Sequence, residues 1–319
     1  MPQSRRDFLK ELSALTAAAG LAGSADLQAA QKKPKMHFPT APRDRLAITS
    51  YPFRTFIDFP NNRQRDTSKP AMTMLEFPAK MVEMFGIHNI NPVFNHFGST
   101  TDPTYFASLR EAIAKAGSHI VDLGMDGGFF YAPDADLRQK GVDGCMKAID
   151  AAVAVGSPSI RAHIRGQRNV EPNVDLAAET LSKVADYGVG KNIVVNLEND
   201  SPGSEDPYFI VHIIEKVNNP YLRALPDFGN SIRGHDQDWN VEALKGMFAH
   251  AFNMSHVKEH LRSRDGNDFH IDLPRIFAVA RAANYRGYFS MECDSGTDDP
   301  YEGTKQLVEM TLKNLSSPA

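Results

Sequence analysis

Four short apolar stretches in the second half of the chain each end in a side chain that can bind a metal ion. The stretches cover residues 193–197, 222–226, 252–255 and 288–291, and they lead to Glu198, Asp227, His256 and Glu292. These four residues are 29, 29 and 36 positions apart, about the length of one strand and one helix with their connections. In a parallel barrel the ends of all four strands face one mouth, so the spacing predicts a Glu/Asp/His/Glu cluster suited to a divalent cation.

The rest of the chain repeats the alternation of strand and helix. Eight strand-like runs alternate with eight helix-like runs between residues 46 and 316, and glycine follows several of the helix-like runs. Such alternation is typical of a parallel α/β architecture, and eight units favour a closed (β/α)8 TIM barrel over an open sheet. We therefore predict a single barrel domain over residues 46–316.

The N-terminus has the features of an export signal. Residues 4–10, Ser-Arg-Arg-Asp-Phe-Leu-Lys, resemble the twin-arginine motif, and an apolar stretch at 12–25 is followed by small residues at 29–30. Because the apolar stretch is short and interrupted by Thr, Gly and Ser, it predicts a cleaved signal over residues 1–30 and a periplasmic protein without a stable membrane anchor. The alternative is an amphipathic helix in a cytosolic protein. Residues 31–45 contain proline and lysine without periodicity and are predicted to be a linker.

The overall charge argues against polyanionic partners. The chain carries 35 Lys and Arg against 39 Asp and Glu, a net charge of −4, so no global basic field attracts nucleic acid or anionic lipid. We therefore predict no nucleic-acid partner. The two cysteines, Cys145 and Cys293, are predicted to be free thiols because a chain of this size needs no disulfide framework.

The residue types of the predicted cluster indicate which metals it would hold. Carboxylate and imidazole ligands suit Mn²⁺, Mg²⁺, Co²⁺ or Fe²⁺ better than a structural zinc site, which would favour thiolates. We predict one divalent ion, with manganese favoured and zinc still possible.

The segments around the four ligands resemble those of one known family. These segments are Asn196-Leu197-Glu198-Asn199, Asp227-Phe228-Gly229-Asn230, His256-Val257-Lys258-Glu259 and Gly287-Tyr288-Phe289-Ser290-Met291-Glu292. They are similar to the xylose-isomerase-like barrel superfamily, which includes tagatose and psicose epimerases, inosose dehydratases and type 2 AP endonucleases. The resemblance covers nearly the whole predicted barrel, and it implies that these positions hold a metal. It also implies a possible homo-oligomer.

The resemblance implies a sugar isomerase or epimerase that acts through an enediolate. In such enzymes a metal polarises a carbonyl while two glutamates remove and return the neighbouring proton, roles that fall here on Glu198 and Glu292. Six residues are predicted to contact a sugar or glycoside substrate, some because they match family positions and others because they are polar residues near strand ends. They are Arg262, Asn230, His163, Arg165, Lys258 and His96. Asn230 stands where the epimerases often have histidine, so this position can hydrogen-bond a hydroxyl but cannot transfer a proton.

Three alternatives remain open at this stage. A lyase or dehydratase would keep the metal and the base but cleave a keto-sugar or keto-glycoside by β-elimination, which suits a periplasmic location. A nuclease like the type 2 AP endonucleases would use Asp268 and His270, although these residues fit a polar loop before a helix at 273 better. A metal-free sugar-binding protein would have kept the barrel without its chemistry.

Aromatic residues in two predicted loops have two interpretations. Residues 124–136 are rich in glycine and aromatic residues, and we interpret them as a lid over the mouth. The aromatic side chains would either stack on a sugar ring or pack within the lid, and they are Phe94, Phe97, Phe129, Phe130 and Tyr131.

Overall fold

The computed structural model describes residues 33–200, 204–262, 266–293 and 299–316. The predicted export signal lies outside these residues and stays a prediction. Within the described part of the chain, no helix is both long and apolar enough to cross a membrane.

The described residues form eleven strands, nine of which build the wall of a parallel barrel. The strands are β1 (Leu46–Thr49), β2 (Asn89–Asn91), β3 (His119–Ile120), β4 (Leu123–Gly124), β5 (Ser159–Ala162), β6 (Val194–Glu198), β7 (Leu222–Leu225), β8 (Met254–Val257), β9 (His260–Arg262), β10 (Asp268–His270) and β11 (Tyr288–Met291). One run of paired strands has the order β3-β2-β1-β11-β8, and the other has the order β4-β5-β6-β7. All pairs within these two runs are parallel.

Isolated backbone bridges close the barrel between the two runs. Val93 pairs with Gly124 on one side, and on the other side Ala224 pairs with Ala251 and Asp227 with His256. The predicted third strand is split into β3 and β4, which together occupy one of the eight wall positions. The structure therefore has the predicted TIM-barrel architecture with parallel strands.

Eight helices lie outside the wall in the described part of the chain. They are α1 (Phe77–Phe85), α2 (Pro103–Lys115), α3 (Ala135–Val155), α4 (Val174–Lys191), α5 (Pro207–Val217), α6 (Gln237–His250), α7 (Leu273–Ala282) and α8 (Pro300–Ser316). The main apolar core lies between strands and helices, and it includes Val195 and Leu197 of β6. Because strand side chains alternate, Asn196 and Glu198 face the barrel interior instead.

Helix α3 is longer than the sequence pattern indicates. The apolar spacing predicts a start at residue 142 after a lid loop, but the helix begins at Ala135. The Asp134 side chain caps it by accepting hydrogen bonds from the backbone N–H groups of Asp136 and Leu137. The first two turns are mostly partly or fully exposed and polar, so they lack the apolar periodicity on which the prediction rests.

The segment predicted as a linker packs across the base of the barrel where it is described. The ring of Phe38 lies 5.5 Å from that of Phe252 and 6.0 Å from that of Tyr288. Arg45 donates hydrogen bonds to the backbone carbonyls of Tyr285 and Gly287. The segment therefore covers the end of the barrel opposite the mouth.

Strands β9 and β10 form an antiparallel hairpin that the sequence analysis missed. Asp268 and His270 were expected in a polar loop, but they pair with Arg262 and His260 in this hairpin. Each strand contributes only three residues with mixed polarity, which is too short to show a period of two.

Candidate metal centre and active-site cavity

The four predicted ligands meet at the carboxyl end of the barrel strands. One ligand atom from each of Glu198, Asp227, His256 and Glu292 lies within 4.8 Å of the others, and all four residues are buried. Glu198 ends β6, His256 lies in β8, and Glu292 follows β11 directly. Asp227 follows β7, and its backbone pairs with that of His256 in a parallel bridge, which places the two residues side by side. The fold therefore brings together residues that are distant in sequence.

The imidazole of His256 is oriented by Asn91. The Asn91 amide nitrogen donates to the backbone carbonyl and Oδ2 of Asp122, so its oxygen is free to accept from His256 Nε2 at 2.8 Å. Nδ1 of His256 then faces Glu198 Oε1 at 2.6 Å and Glu292 Oε2 at 2.9 Å. With the proton fixed on Nε2, the Nδ1 lone pair points at two carboxylates. A cation between them resolves this repulsion.

Asp227 presents one oxygen to the centre and anchors the other. Its Oδ1 accepts hydrogen bonds from the backbone N–H groups of Gly229 and Asn230, at 2.9 and 2.8 Å. Its Oδ2 is buried and accepts no hydrogen bond from the described residues, although Lys258 Nζ lies 3.2 Å away. Burial, opposed by Lys258, raises the pKa of the Asp227 carboxyl to about 7. A buried oxygen in this state is suited to bind a metal ion.

Two buried cations flank the other carboxylates. Arg161 Nη1 lies 3.0 Å from Glu198 Oε2, and Lys258 Nζ lies 3.1 Å from Glu292 Oε1. Burial would raise the pKa of Glu198, but Arg161 and His256 hold it well below its usual range. Burial likewise opposes ionisation of Glu292, and Lys258 with His256 lowers its pKa. Both glutamates are therefore ionised at neutral pH.

These residues fit a divalent metal ion. Three carboxylates and one imidazole with a directed lone pair form an oxygen and nitrogen donor set with no thiolate. In the metal-free protein, burial lowers the pKa of His256 but the carboxylates of Glu198 and Glu292 raise it to about 10. The centre thus binds a proton where a metal would otherwise bind.

A second group of ligand atoms lies beside the first. His163, Glu198 and Asp200 also bring ligand atoms within 4.8 Å of one another. His163 Nε2 lies 2.5 Å from Glu198 Oε2 and its Nδ1 lies 3.4 Å from Asp200 Oδ2. The guanidinium of Arg161 already neutralises Glu198 Oε2. We therefore interpret His163 as a hydrogen-bond partner of Glu198 and assign no metal to this group.

The centre lies at one end of a cavity of about 300 Å³. Its lining residues are Tyr51, Arg54, Phe59, Gln64, Val93, Asn95, His96, Asp126, Arg161, His163, Glu198, Asp200, Asn230, Arg233, Lys258 and Glu292. The volume is at the small end of the range for small-molecule sites. It suits a single sugar ring better than an oligosaccharide.

The cavity includes four of the six predicted substrate contacts. His96, His163, Asn230 and Lys258 line it. Lys258 Nζ donates to Asn230 Oδ1 at 2.9 Å, which orients that amide toward the centre.

Arg165 and Arg262 are not among the described residues that line the cavity. Arg165 is exposed and pairs with Asp126 at 3.4 Å. Arg262 lies on the hairpin, is also exposed, and has Asp268 3.8 Å away. For all six residues, substrate binding stays a prediction.

His96 is a neutral hydrogen-bonding group in the cavity wall. Its Nδ1 is 2.8 Å from the hydroxyl of Ser50, and its ring stacks on Phe59 with the centroids 4.7 Å apart. Burial, together with the nearby charges of Arg54 and Arg161, lowers the pKa of its imidazole to about 3. His96 therefore stays uncharged across the physiological pH range.

Sequence reasoning missed Arg161 and the aromatic side of the cavity. Arg161 is a charged residue within a short apolar strand. Because a charge is unusual at such a position, it was the sequence feature that could have identified Arg161 as a site residue. The aromatic residues in the lining are Tyr51 and Phe59, not those named from the sequence. Phe130 and Tyr131 are instead buried with 0% and 2% of their surface exposed, so they pack into the core. Both cysteines are free thiols, as predicted, and both are buried.

Comparison with known proteins identifies the family. The sequence matches the model of the xylose isomerase-like TIM barrel family over residues 75–314. The match covers most of the chain, so the chain belongs to this family. A search of the curated proteins found no match.

Several solved structures share the fold. A 3-keto-D-glucoside 4-epimerase from E. coli, YcjR, has a TM-score of 0.63 at 15% identity, with 84% of this chain and 99% of that chain covered. D-psicose 3-epimerase from Clostridium cellulolyticum H10, solved with D-tagatose, has a TM-score of 0.67 at 11% identity and coverages of 86% and 100%. A Mycobacterium smegmatis protein of the same family, in complex with magnesium, has a TM-score of 0.66 at 17% identity and coverages of 87% and 98%. At these identities the comparisons show the fold alone.

Proposed function

We propose that the protein is a divalent-metal-dependent sugar isomerase or epimerase that moves a proton on the carbon next to a carbonyl. The observation that carries this proposal is the buried cluster of Glu198, Asp227, His256 and Glu292 at the end of a sugar-sized cavity. Family membership and the epimerases among the structural neighbours support it. We propose one metal ion per chain, with manganese as the first candidate.

The chemistry divides between the metal and the protein. A divalent ion held by the four ligands would polarise the substrate carbonyl and lower the barrier to removal of the neighbouring proton. Glu198 and Glu292 approach the centre from β6 and β11, and both are ionised. We assign to them the removal and return of the proton.

The fixed charges around the centre favour the substrate anion that proton removal produces. The three carboxylates are opposed by Arg161 and Lys258, both buried. With a divalent ion bound, these three carboxylates and two cations would together carry a net charge of +1. Positive groups that are already in place stabilise negative charge as it develops on a substrate oxygen.

The second candidate is a lyase that acts on a keto-sugar or keto-glycoside. The position of His163 in the cavity favours it. Elimination requires an acid that protonates the leaving group in addition to the base. His163 lines the cavity, and its Nε2 is 2.5 Å from Glu198 Oε2, so it is placed to donate a proton close to the base. The two candidates share the base and differ in their product.

Solvent-proton exchange tests the proposed chemistry. The metal-loaded protein would be incubated in D₂O with free, keto and glycosidic sugars, and the sugars analysed by NMR and mass spectrometry. We expect deuterium at a carbon next to the carbonyl, with exchange reduced by roughly 100-fold or more in Glu198→Gln and Glu292→Gln. A shorter, unsaturated product would identify the lyase.

The control is Glu83→Gln, which removes a carboxylate from an exposed position on α1. This variant should exchange at the wild-type rate. Exchange that survives both cavity substitutions would contradict the assignment of the base.

We also propose that the protein acts outside the cytoplasm. This proposal rests on the twin-arginine-like sequence at residues 4–10 alone.

A further inference from the structure

Arg54 differs from the other arginines and lysines that line the cavity because it has no carboxylate partner among the described residues. Three of the four lining arginines and lysines have a carboxylate partner, since Arg161 pairs with Glu198, Arg233 with Glu205, and Lys258 with Asp227 and Glu292. Among the described residues, no carboxylate forms an ion pair with Arg54. Among the described residues, Arg54 is therefore the one lining arginine or lysine without a carboxylate partner.

Neutral groups fix the guanidinium of Arg54 in place. Its Nε donates to Gln64 Oε1 at 2.7 Å, and its Nη1 donates to the backbone carbonyl of Tyr51 at 3.0 Å. The guanidinium carbon lies 4.2 Å from the centroid of the Tyr51 ring. Its Nη2 donates no hydrogen bond to the described residues. The group is thus held by three contacts and still has N–H donors available for a ligand.

We propose that Arg54 binds a carboxylate of the substrate, so that the protein acts on a sugar acid such as a uronic or keto-uronic acid. This inference rests on the proposed function and names the class of its substrate. The metal centre would hold the carbonyl end of the sugar, and Arg54 would hold the acidic end in the same cavity.

The type and surroundings of the residue favour a carboxylate over other groups. A planar guanidinium matches the two oxygens of a carboxylate and forms charge-assisted hydrogen bonds with it. Arg54 is only half-buried, and no carboxylate of the described residues competes with a ligand for its guanidinium. A phosphate group usually recruits several backbone N–H groups or cations, whereas the described residues place one unpaired cation beside the neutral His96 in this part of the cavity.

Binding of matched sugar pairs tests this inference. D-glucuronate and D-galacturonate would be compared with D-glucose and D-galactose, and with D-glucose 6-phosphate, by calorimetry on the manganese-loaded protein. We expect each uronate to bind about 10- to 100-fold more tightly than the neutral sugar of the same configuration. Arg54→Gln should abolish this preference, and Arg54→Lys should retain part of it.

Arg63→Gln is the matched control because Arg63 is an exposed arginine of the same loop that does not line the cavity. It should keep the preference for uronates. Equal binding of acid and neutral sugars, failure of both uronates to bind, or a preference unchanged in Arg54→Gln would overturn the inference. So would tighter binding of the phosphate ester than of the uronates.

The exchange assay separates this inference from the proposed function. Deuterium exchange into a neutral sugar, unaffected by Arg54→Gln, would leave the proposed function standing and overturn the sugar-acid assignment. Binding of a uronate that depends on Arg54, without any exchange, would support the assignment and count against the proposed function.

Discussion

At the scale of single residues, the metal centre depends on which nitrogen of His256 carries the proton. Asn91 accepts from Nε2, so Nδ1 is left to face Glu198 and Glu292. A hydrogen bond of this kind orients the ligand and makes it a better electron donor. Asn91 is therefore part of the metal centre although it would not touch the metal.

Replacing Asn91 tests this dependence. We expect Asn91→Ala to weaken metal binding roughly 10- to 100-fold because the His256 ring loses the group that orients it. Competition with a fluorescent chelator would measure the dissociation constant. Asn89→Ala is the control, since Asn89 lies on the same strand but donates to the Asp44 and Leu46 carbonyls at the base. Equal loss of affinity in both variants would indicate a general disturbance of β2.

The pH dependence of the metal-free protein tests the charge of His256. The carboxylates raise the pKa of this imidazole, against the effect of burial, to about 10, whereas an unfolded histidine titrates near about 6.5. The stabilisation is therefore complete below pH ~6.5 and is lost as the pH rises through about 10. Burial raises the pKa of Asp227 to about 7, so this carboxyl adds a loss of stability as the pH rises from about 4 to about 7, below the range in which His256 loses its proton.

We expect chemical denaturation in the presence of a chelator to show stability falling between pH ~7.5 and ~10. His256→Gln should have a flatter profile over this range, because the titrating group is absent. A wild-type profile that is flat or rising there would show that His256 is not protonated between the carboxylates.

Some site residues can be predicted from the sequence and others cannot, for a physical reason. Glu198 and Glu292 each follow an apolar run, so the end of the run marks their position. Arg161 lies inside such a run, and only the barrel shows that its side chain reaches Glu198 on the next strand. Arg54 belongs to an irregular loop without periodicity, so its place in the cavity depends on tertiary contacts.

At the scale of secondary-structure elements, neighbouring strands position the charged residues. Gly124 ends β4, and a Cβ atom at this residue would lie 2.9 Å from Arg161 Nη2 on β5. The absence of a side chain on one strand thus leaves room for the guanidinium of the next strand. This guanidinium in turn holds Glu198 on β6.

A pair of glycine substitutions tests this arrangement. We expect Gly124→Ala to displace Arg161, to lower the unfolding free energy by about 1–3 kcal/mol and to reduce activity. Gly144→Ala is the control, because Gly144 lies within α3 and its Cβ would be 3.7 Å from the nearest atom, Met125 Cε. That change should raise stability by about 0.5–1 kcal/mol through helix propensity. Full activity in Gly124→Ala would contradict the role of this contact.

The number and type of elements can be predicted from periodicity, whereas several boundaries cannot. Helix α3 begins with polar turns, and the β9–β10 hairpin is held by pairing between two short strands. Neither feature leaves a repeated apolar pattern in the sequence. The Asp134 cap was the local signal for the true start of α3.

At the scale of the whole molecule, the metal centre lies where the two runs of paired strands meet. Glu198 and Asp227 belong to the run that ends with β7, whereas His256 and Glu292 belong to the run that ends with β8. Among the described residues, the backbone pairing in the region of β7 and β8 consists of isolated bridges instead of a continuous ladder. A bound metal ion would therefore link the two halves of the barrel wall.

Removal of the metal should accordingly destabilise the whole barrel. At a free metal concentration about 100 times the dissociation constant, binding adds about 2.7 kcal/mol to the unfolding free energy. We expect a chelator to lower the melting temperature of the wild type and to leave that of Asp227→Asn unchanged. An equal response of both proteins would show that the chelator acts elsewhere.

Metal content per chain shows whether the buried cluster is a metal centre. Protein purified without added metal would be analysed by inductively coupled plasma mass spectrometry beside Asp227→Asn, His256→Gln and the surface control Glu83→Gln. We expect about one divalent ion in the wild type and in the control, and far less in the two ligand variants. Wild-type protein that neither contains nor takes up a divalent ion, or ligand variants that retain it fully, would contradict the account.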